Sequence, residues 1–320
     1  GPAGANAARF LNEFLKHCES GVNAATGKTG APLDFIAFHA KGAPRFIDGV
    51  VRMNMGAELS QIDRGFSIVA SNPKYKELPV IIGECDPEGC AACGMTQYPQ
   101  NGYRNGTMYS SYTASSFAKI YDLALDHKIN LLGVVSWSFE FEDQPWFHGF
   151  RDLATNGVDK PVLNVFRMFG MMGPVRVMAK SNAGYNYKSV IDSGIRGDKS
   201  DIGALASKDN NYVIIMFWNY HDDDITSPDA DLLFKISGII SKKVKITEYR
   251  IDREHSNSYE LWGKMGSPQN PSPEQYSELE KAGMLKMYGK TITGNVKKGI
   301  LLINTSIQRQ GTGLIKIEWK

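Results

Sequence analysis

An α/β half followed by an all-β half is the fold class this sequence predicts, on three observations. From about residue 7 to residue 172, segments of helical periodicity alternate with short apolar runs of strand length. The order helix, strand, helix, strand, helix, strand, helix implies parallel strands joined by right-handed crossovers. Beyond Gly173 the rhythm changes to short β segments divided by polar turn clusters such as Asp209-Asn210-Asn211 and Asp222-Asp223-Asp224, the pattern of an antiparallel sandwich.

Each element has its own warrant. Phe10, Leu11, Phe14, Leu15 and Cys18 recur at helical spacing, so Ala7 to Glu19 is a helix with one buried face. Leu33 to His39 follows the turn-rich Thr26 to Gly30 as a strand. Met55 to Ala70 is helical in pattern, Val80 to Gly83 is a strand buried on both faces, and Thr107 to Lys128 is a long helix. Leu131 to Trp137 is the third strand, and Val162 to Met172 the last helix of this half. The second half supplies strands at Arg176 to Lys180, Lys188 to Ile191, Tyr212 to Asn219, Leu232 to Ile236, Lys243 to Tyr249, Ile300 to Asn304 and Leu314 to Trp319. A helical insert interrupts them near 272–282, where Ser272-Pro273-Glu274-Gln275 combines an N-cap, a first-turn proline and a capping-box glutamine. The predicted division is 1–172 and 173–320.

Composition narrows the partners. With 320 residues, 42% hydrophobic and 22% charged, the chain reads as an ordinary globular protein long enough for roughly two domains. A net charge of +2 without a dense basic tract argues against nucleic acid, and no apolar run approaches the length of a membrane span. Cys85, Cys90 and Cys93 match the first three ligands of a plant-type iron–sulfur site, but the fourth candidate, Cys18, sits in an amphipathic helix. A local disulfide or a set of free thiols is the expectation, with no metal and no cofactor. His221-Asp222-Asp223-Asp224 reads as a solvated turn, and Asn105-Gly106-Thr107 as a glycosylation acceptor pattern.

The chemistry concentrates where the strands of the first half end. Pro79-Val80-Ile81-Ile82-Gly83 leads straight into Glu84, and an ionised carboxylate at the edge of a core needs a partner or a task. The first strand runs into His39-Ala40-Lys41-Gly42, and the third into Ser136-Trp137-Ser138-Phe139-Glu140-Phe141-Glu142. His39 can hydrogen-bond a ligand, orient Glu84 or sit as a satisfied core histidine. Lys41 can meet a ligand carboxylate or lie on a loop surface. Trp137 can form a platform under a ligand ring or be core material. Glu140 and Glu142 alternate with Phe139 and Phe141, so on a continuing strand both acids share one side. Asp86, before Pro87, reads as a turn cap.

These three strand ends together resemble the last three strands of the catalytic barrel of glycoside hydrolase family 39, the β-xylosidases and α-L-iduronidases. His-x-Lys-Gly at His39 and Glu-x-Asp-Pro at Glu84 are similar to the iduronidase branch. Tyr249-Arg250-Ile251-Asp252, His255-Ser256-Asn257, Trp262, Met265-Gly266-Ser267-Pro268 and Glu274-Gln275-Tyr276 are more similar to the xylosidases.

The resemblance implies the C-terminal part of a (β/α)8 TIM barrel, about three strands and incomplete in this chain, followed by an antiparallel β-sandwich. It also implies a retaining glycosidase, in which one carboxylate attacks the anomeric carbon while a second, about 5 Å away, handles the proton. Glu84 matches the nucleophile, and His39, Lys41, Trp137, Phe139, Glu140 and Glu142 fall where substrate is bound. The family's acid/base lies in an Asn-Glu-Pro motif, which this sequence lacks; its one Asn-Glu pair, Asn12-Glu13, precedes Phe14 in a helix. Gly1-Pro2-Ala3-Gly4 resembles the loop after the fifth barrel strand. The expectation is therefore the C-terminal portion of a larger enzyme, or a site completed by a second chain or a homo-oligomer. The implied substrate is a xylo-oligosaccharide cut at its non-reducing end, with a uronic-acid-directed glycosidase or a non-catalytic carbohydrate-binding protein as alternatives.

Overall fold

The computed structural model describes residues 7–141 and 143–319. In the first half the order is α1 (Ala7–Ser20), β1 (Ile36–Lys41), a ribbon of β2 (Arg45–Ile47) and β3 (Val50–Arg52), α2 (Met55–Ala70), β4 (Val80–Asp86), α3 (Thr107–His127), β5 (Leu131–Val134), a ribbon of β6 (Ala154–Thr155) and β7 (Val158–Asp159), and α4 (Pro161–Met171). β1, β4 and β5 form a parallel sheet with β4 in the middle. One face of it, carrying Ile36, Phe38, Ala40, Val80 and Ile82, is buried. Phe38 meets Phe66 of α2 edge to face, with ring centroids 6.0 Å apart. A Cβ at Gly65 would come 2.5 Å from the Phe38 ring, so glycine there lets α2 lie this close to β1.

The second half runs β8 (Val175–Val177), α5 (Tyr187–Ser193), β9 (Asp201–Lys208), β10 (Tyr212–Tyr220), β11 (Ala230–Ser237), β12 (Lys243–Ile251), α6 (Ser258–Lys264), α7 (Pro273–Gly283), β13 (Lys286–Met287), β14 (Ile292–Asn295), β15 (Ile300–Ile307) and β16 (Gly311–Glu318). A seven-stranded sheet has the order β13-β12-β16-β10-β9-β8, with β14 also on β12, while β11 and β15 pair only with each other. β10 is apolar on both sides because both are covered. Ile214, Met216, Trp218 and Tyr220 join the core that contains α2 and α3, and Ile215 and Phe217 join a second core under the β11–β15 ribbon.

These contacts correct the expected fold class. Among the described residues the parallel strands number three, as many as expected, and form an open sheet; what differs is the antiparallel part. The antiparallel part is not a free-standing sandwich. Helix α3 covers one face of its large sheet, a two-stranded ribbon covers the other, and the main hydrophobic core runs without interruption from α1 to Leu314. The reason is α3 itself, whose residues Met108 to Ile120 are buried almost all round, so it packs on layers to both sides.

Three local expectations also change. The segment read as a strand at Lys188 to Ile191 is helix α5, started by Asn186, whose side chain accepts from the Ser189 N–H. The run His221 to Asp223 is buried rather than solvated: Asp222 accepts from Tyr220 and the Ile195 N–H, and Asp223 forms a two-pronged pair with Arg52 at 2.5 and 2.9 Å. Asn105 is buried and donates to the Phe147 carbonyl, so its pattern is no accessible glycosylation site.

Candidate active site

The tips of β1 and β4 create the site through their register. Pairing shifts by one residue between Phe38 and His39, which sets His39 opposite Glu84 and Lys41 opposite Asp86. Side chains alternate along β4, so Glu84 and Asp86 face one side while Cys85 turns to the helices.

On the open side, the Lys41 Nζ lies 2.9 Å from Glu84 Oε2 and 2.7 Å from Asp86 Oδ2. His39 Nδ1 stands 3.5 Å from Glu84 Oε1. Burial lowers the His39 pKa from its ordinary value, with the Glu84 charge opposing the shift, which favours the neutral ring. The two carboxylates differ in how far their oxygens are occupied. Asp86 is wholly buried and takes contacts from Lys41, Arg151, Ser136, Tyr109 and the Trp137 N–H. Glu84 keeps 13% of its side chain exposed and has one close cation. A carboxylate with spare lone pairs facing solvent can attack an electrophile; one saturated with donors cannot.

Trp137 stands beside this cluster, 47% exposed, its indole 4.8 Å from the Phe139 ring and 5.7 Å from the Arg151 guanidinium. Phe139 is half-buried, donates its N–H to the Arg151 carbonyl and leans on Phe141. Glu140 is not brought in the same way. β5 ends at Val134, because beyond Val135 the backbone is held by Asp86 and Arg151 instead of a neighbouring strand. The alternation argument for Glu140 and Glu142 therefore loses its strand. Glu140 is exposed on the loop, and Glu142 lies outside the described residues.

Sequence reasoning missed the layer beneath. Glu58 of α2 is fully buried, accepts from the Tyr112 hydroxyl at 2.6 Å and meets the Cys85 thiol at 3.3 Å. Burial pushes its pKa up to about 7, against the pull of those two hydrogen bonds. The available signal was its place in the apolar stripe with Met55, Leu59 and Ile62. Arg151 and Arg104 are also fully buried, and nothing in their loop sequence marks them. Arg104 binds Glu88 and the Cys90 carbonyl at 2.9 Å each, bracing a loop closed by a Cys90–Cys93 disulfide. Cys85 and Cys18 are free and buried apart from it, which removes the iron–sulfur pattern. Tyr103 and Asn101 of the same loop belong to the interior, while Tyr98 is exposed.

Comparison with known proteins bears on this site. A mouse (Mus musculus) α-L-iduronidase is 25% identical over 292 residues, covering 83% of this chain and 42% of the relative. A β-xylosidase of Caldicellulosiruptor saccharolyticus is 24% identical over 270 residues, 81% of this chain and 49% of its own. The chain thus spans a little under half the length of these curated relatives. Among solved structures, a bacterial orthologue of human α-L-iduronidase aligns with 100% of this chain and 55% of its own at a TM-score of 0.76 and 16% identity. A monomeric β-xylosidase from Caulobacter crescentus CB15 aligns with 99% of this chain and 60% of its own, at 0.70 and 16%. Both alignments run through the parallel and the antiparallel parts together. The model of glycosyl hydrolases family 39 matches residues 1–293, and this chain belongs to that family.

Proposed function

We propose that this chain carries the nucleophile of a retaining glycosidase, with Glu84 attacking the anomeric carbon of a β-xyloside at the non-reducing end of a xylo-oligosaccharide. The observation that carries the reading is Glu84 itself: a strand-end carboxylate, partly open, held by Lys41 at 2.9 Å beside the exposed Trp137 face. In this reading attack gives a covalent glycosyl-enzyme, and water then releases the sugar. A neutral xylose ring suits the local charge. Lys41 and Arg151 are matched by Glu84 and Asp86, leaving no surplus cation among these four groups for a substrate carboxylate. Trp137 and Phe139 lie beneath the sugar, and neutral His39 reaches its hydroxyls. Asp86, saturated with donors, is not the acid/base in this reading, and the chain carries no Asn-Glu-Pro motif. The kinship with α-L-iduronidases keeps a uronide as the second reading.

The test is a 2-deoxy-2-fluoro-xyloside with a dinitrophenolate leaving group, which departs without a proton and so reports Glu84 alone. Peptide mass spectrometry should find the label on Glu84, with the matching uronide unreactive. Xylosides of poor leaving groups should react about 10²- to 10⁴-fold more slowly when the acid/base is not supplied. A label on the uronide arm alone reverses the substrate; folded protein that takes neither label is a carbohydrate-binding remnant.

A further inference from the structure

We infer that Asp86 and Arg151 form a buried positioning pair that couples the nucleophile to the aromatic platform, Asp86 acting on Glu84 through Lys41 and on Trp137 through its backbone. The inference rests on the reading of Glu84 as nucleophile. Asp86 Oδ2 lies within 2.7 Å of Lys41 Nζ, 3.3 Å of Arg151 and 3.3 Å of the Trp137 N–H. The same Lys41 Nζ reaches Glu84 at 2.9 Å, so its place between the two carboxylates is set from the buried side. Arg151 closes the other half of the clamp. Its Nε donates to the Trp137 carbonyl at 2.7 Å, and its guanidinium lies against the indole. Trp137 is therefore held at its N–H by Asp86 and at its C=O by Arg151, on a stretch of chain that has already left the sheet.

Burial makes this pair a positioning device. Both side chains are fully excluded from water, where a charged contact is stiff and its geometry well defined. Arg151 also donates to the carbonyls of Glu88 and Gly89, tying the loop after β4 to the same centre. Tyr109 and Ser136 occupy the other oxygen of Asp86. A shift of this centre would displace the nucleophile's cation and the sugar platform in one movement.

The experiment separates the two outputs with the fluoro-xyloside, whose maximal inactivation rate reports attack and whose half-saturating concentration reports platform binding. Lys41→Met should lower the rate about 10- to 100-fold at unchanged half-saturation, and Trp137→Ala should raise half-saturation about 10-fold with little change in rate. Asp86→Asn should move both. Its effect on the rate should not multiply with that of Lys41→Met, nor its effect on half-saturation with that of Trp137→Ala. Should Asp86→Asn fail to fold, Arg151→Lys keeps the charge but gives up the forked contacts to Asp86 and the Trp137 carbonyl, and should move rate and half-saturation together. Losses that multiply, or a folded Asp86→Asn that moves neither parameter, overturn the inference. A wild-type protein that takes no label sinks the reading of Glu84 instead. Trp137 emission, taken as the difference from Trp137→Phe, then decides: a shift in Asp86→Asn upholds the pair, and an unchanged spectrum overturns it.

Discussion

Among the lysine–carboxylate groupings of the described residues, the contrast between two shows what separates a site from a weld. Where α3 meets the antiparallel sheet, Asp201 accepts from Lys119 at 2.5 Å, Ser115 at 2.7 Å, Trp218 at 2.8 Å and the Tyr185 N–H at 2.7 Å. Burial favours its protonated form, but Lys119 and the other donors outweigh that and hold the pKa below the usual carboxylate range. Both oxygens are engaged, and water is excluded. At the tips of β1 and β4, one lysine serves two carboxylates, and only Asp86 is saturated in the manner of Asp201. The second, Glu84, retains unspent acceptor capacity toward solvent. Both clusters are built from the same residue types; the difference lies in whether a carboxylate is left over.

The largest expected effects test that contrast directly. Glu84→Ala should cut turnover and labelling by on the order of 10⁴-fold or more while moving stability by no more than about 1 kcal/mol. Asp201→Asn should do the reverse, costing about 3 kcal/mol or more by leaving Lys119 buried without a countercharge, at unchanged rate per folded molecule. Activity assays and urea denaturation of the two variants, side by side, would break the comparison if either behaved like the other.

A smaller effect sharpens it from beneath the site. Glu58 has a folded pKa of about 7, raised from an ordinary value of 4.5. The folded state therefore keeps a proton that the unfolded chain has released between these values, and its stability contribution is complete below about pH 4.5. It falls as pH rises through that window and levels above about 7, by up to roughly 3 kcal/mol. Glu58→Gln, which cannot ionise, should flatten the stability profile between pH 5 and 7; an unchanged profile would show that Cys85 and Tyr112 already hold the carboxylate charged. The smallest effect lies outside both clusters. Ser272 caps α7 in a reciprocal capping box with Gln275, and Ser272→Ala should cost about 1 kcal/mol with no change in rate.

Much of the fold was legible in the chain. The periodic apolar positions of α2 and α3 and the capping signature at Ser272 place those helices within a residue or so of where they lie. Glu84 was legible because an apolar run with no other outlet ends in it. The buried charges were not, because Glu58, Asp201, Arg104 and Arg151 look in sequence like any surface residue. Their partners are 54, 82, 16 and 63 positions away for the contacts with Tyr112, Lys119, Glu88 and the Glu88 carbonyl. Short elements failed for a related reason: at Lys188 to Ile191 too few residues exist to show a period, and one capping asparagine decided the outcome.

By itself the sequence determined the long helices and the parallel strands of the first half, the change of rhythm near residue 173 and the strand end that carries Glu84, because these depend on neighbours within a few positions. Only the tertiary structure decided that the parallel sheet stays open among the described residues, that α3 serves two layers, and that Lys41 stands between two carboxylates. Those outcomes depend on register and burial, which are properties of distant segments meeting.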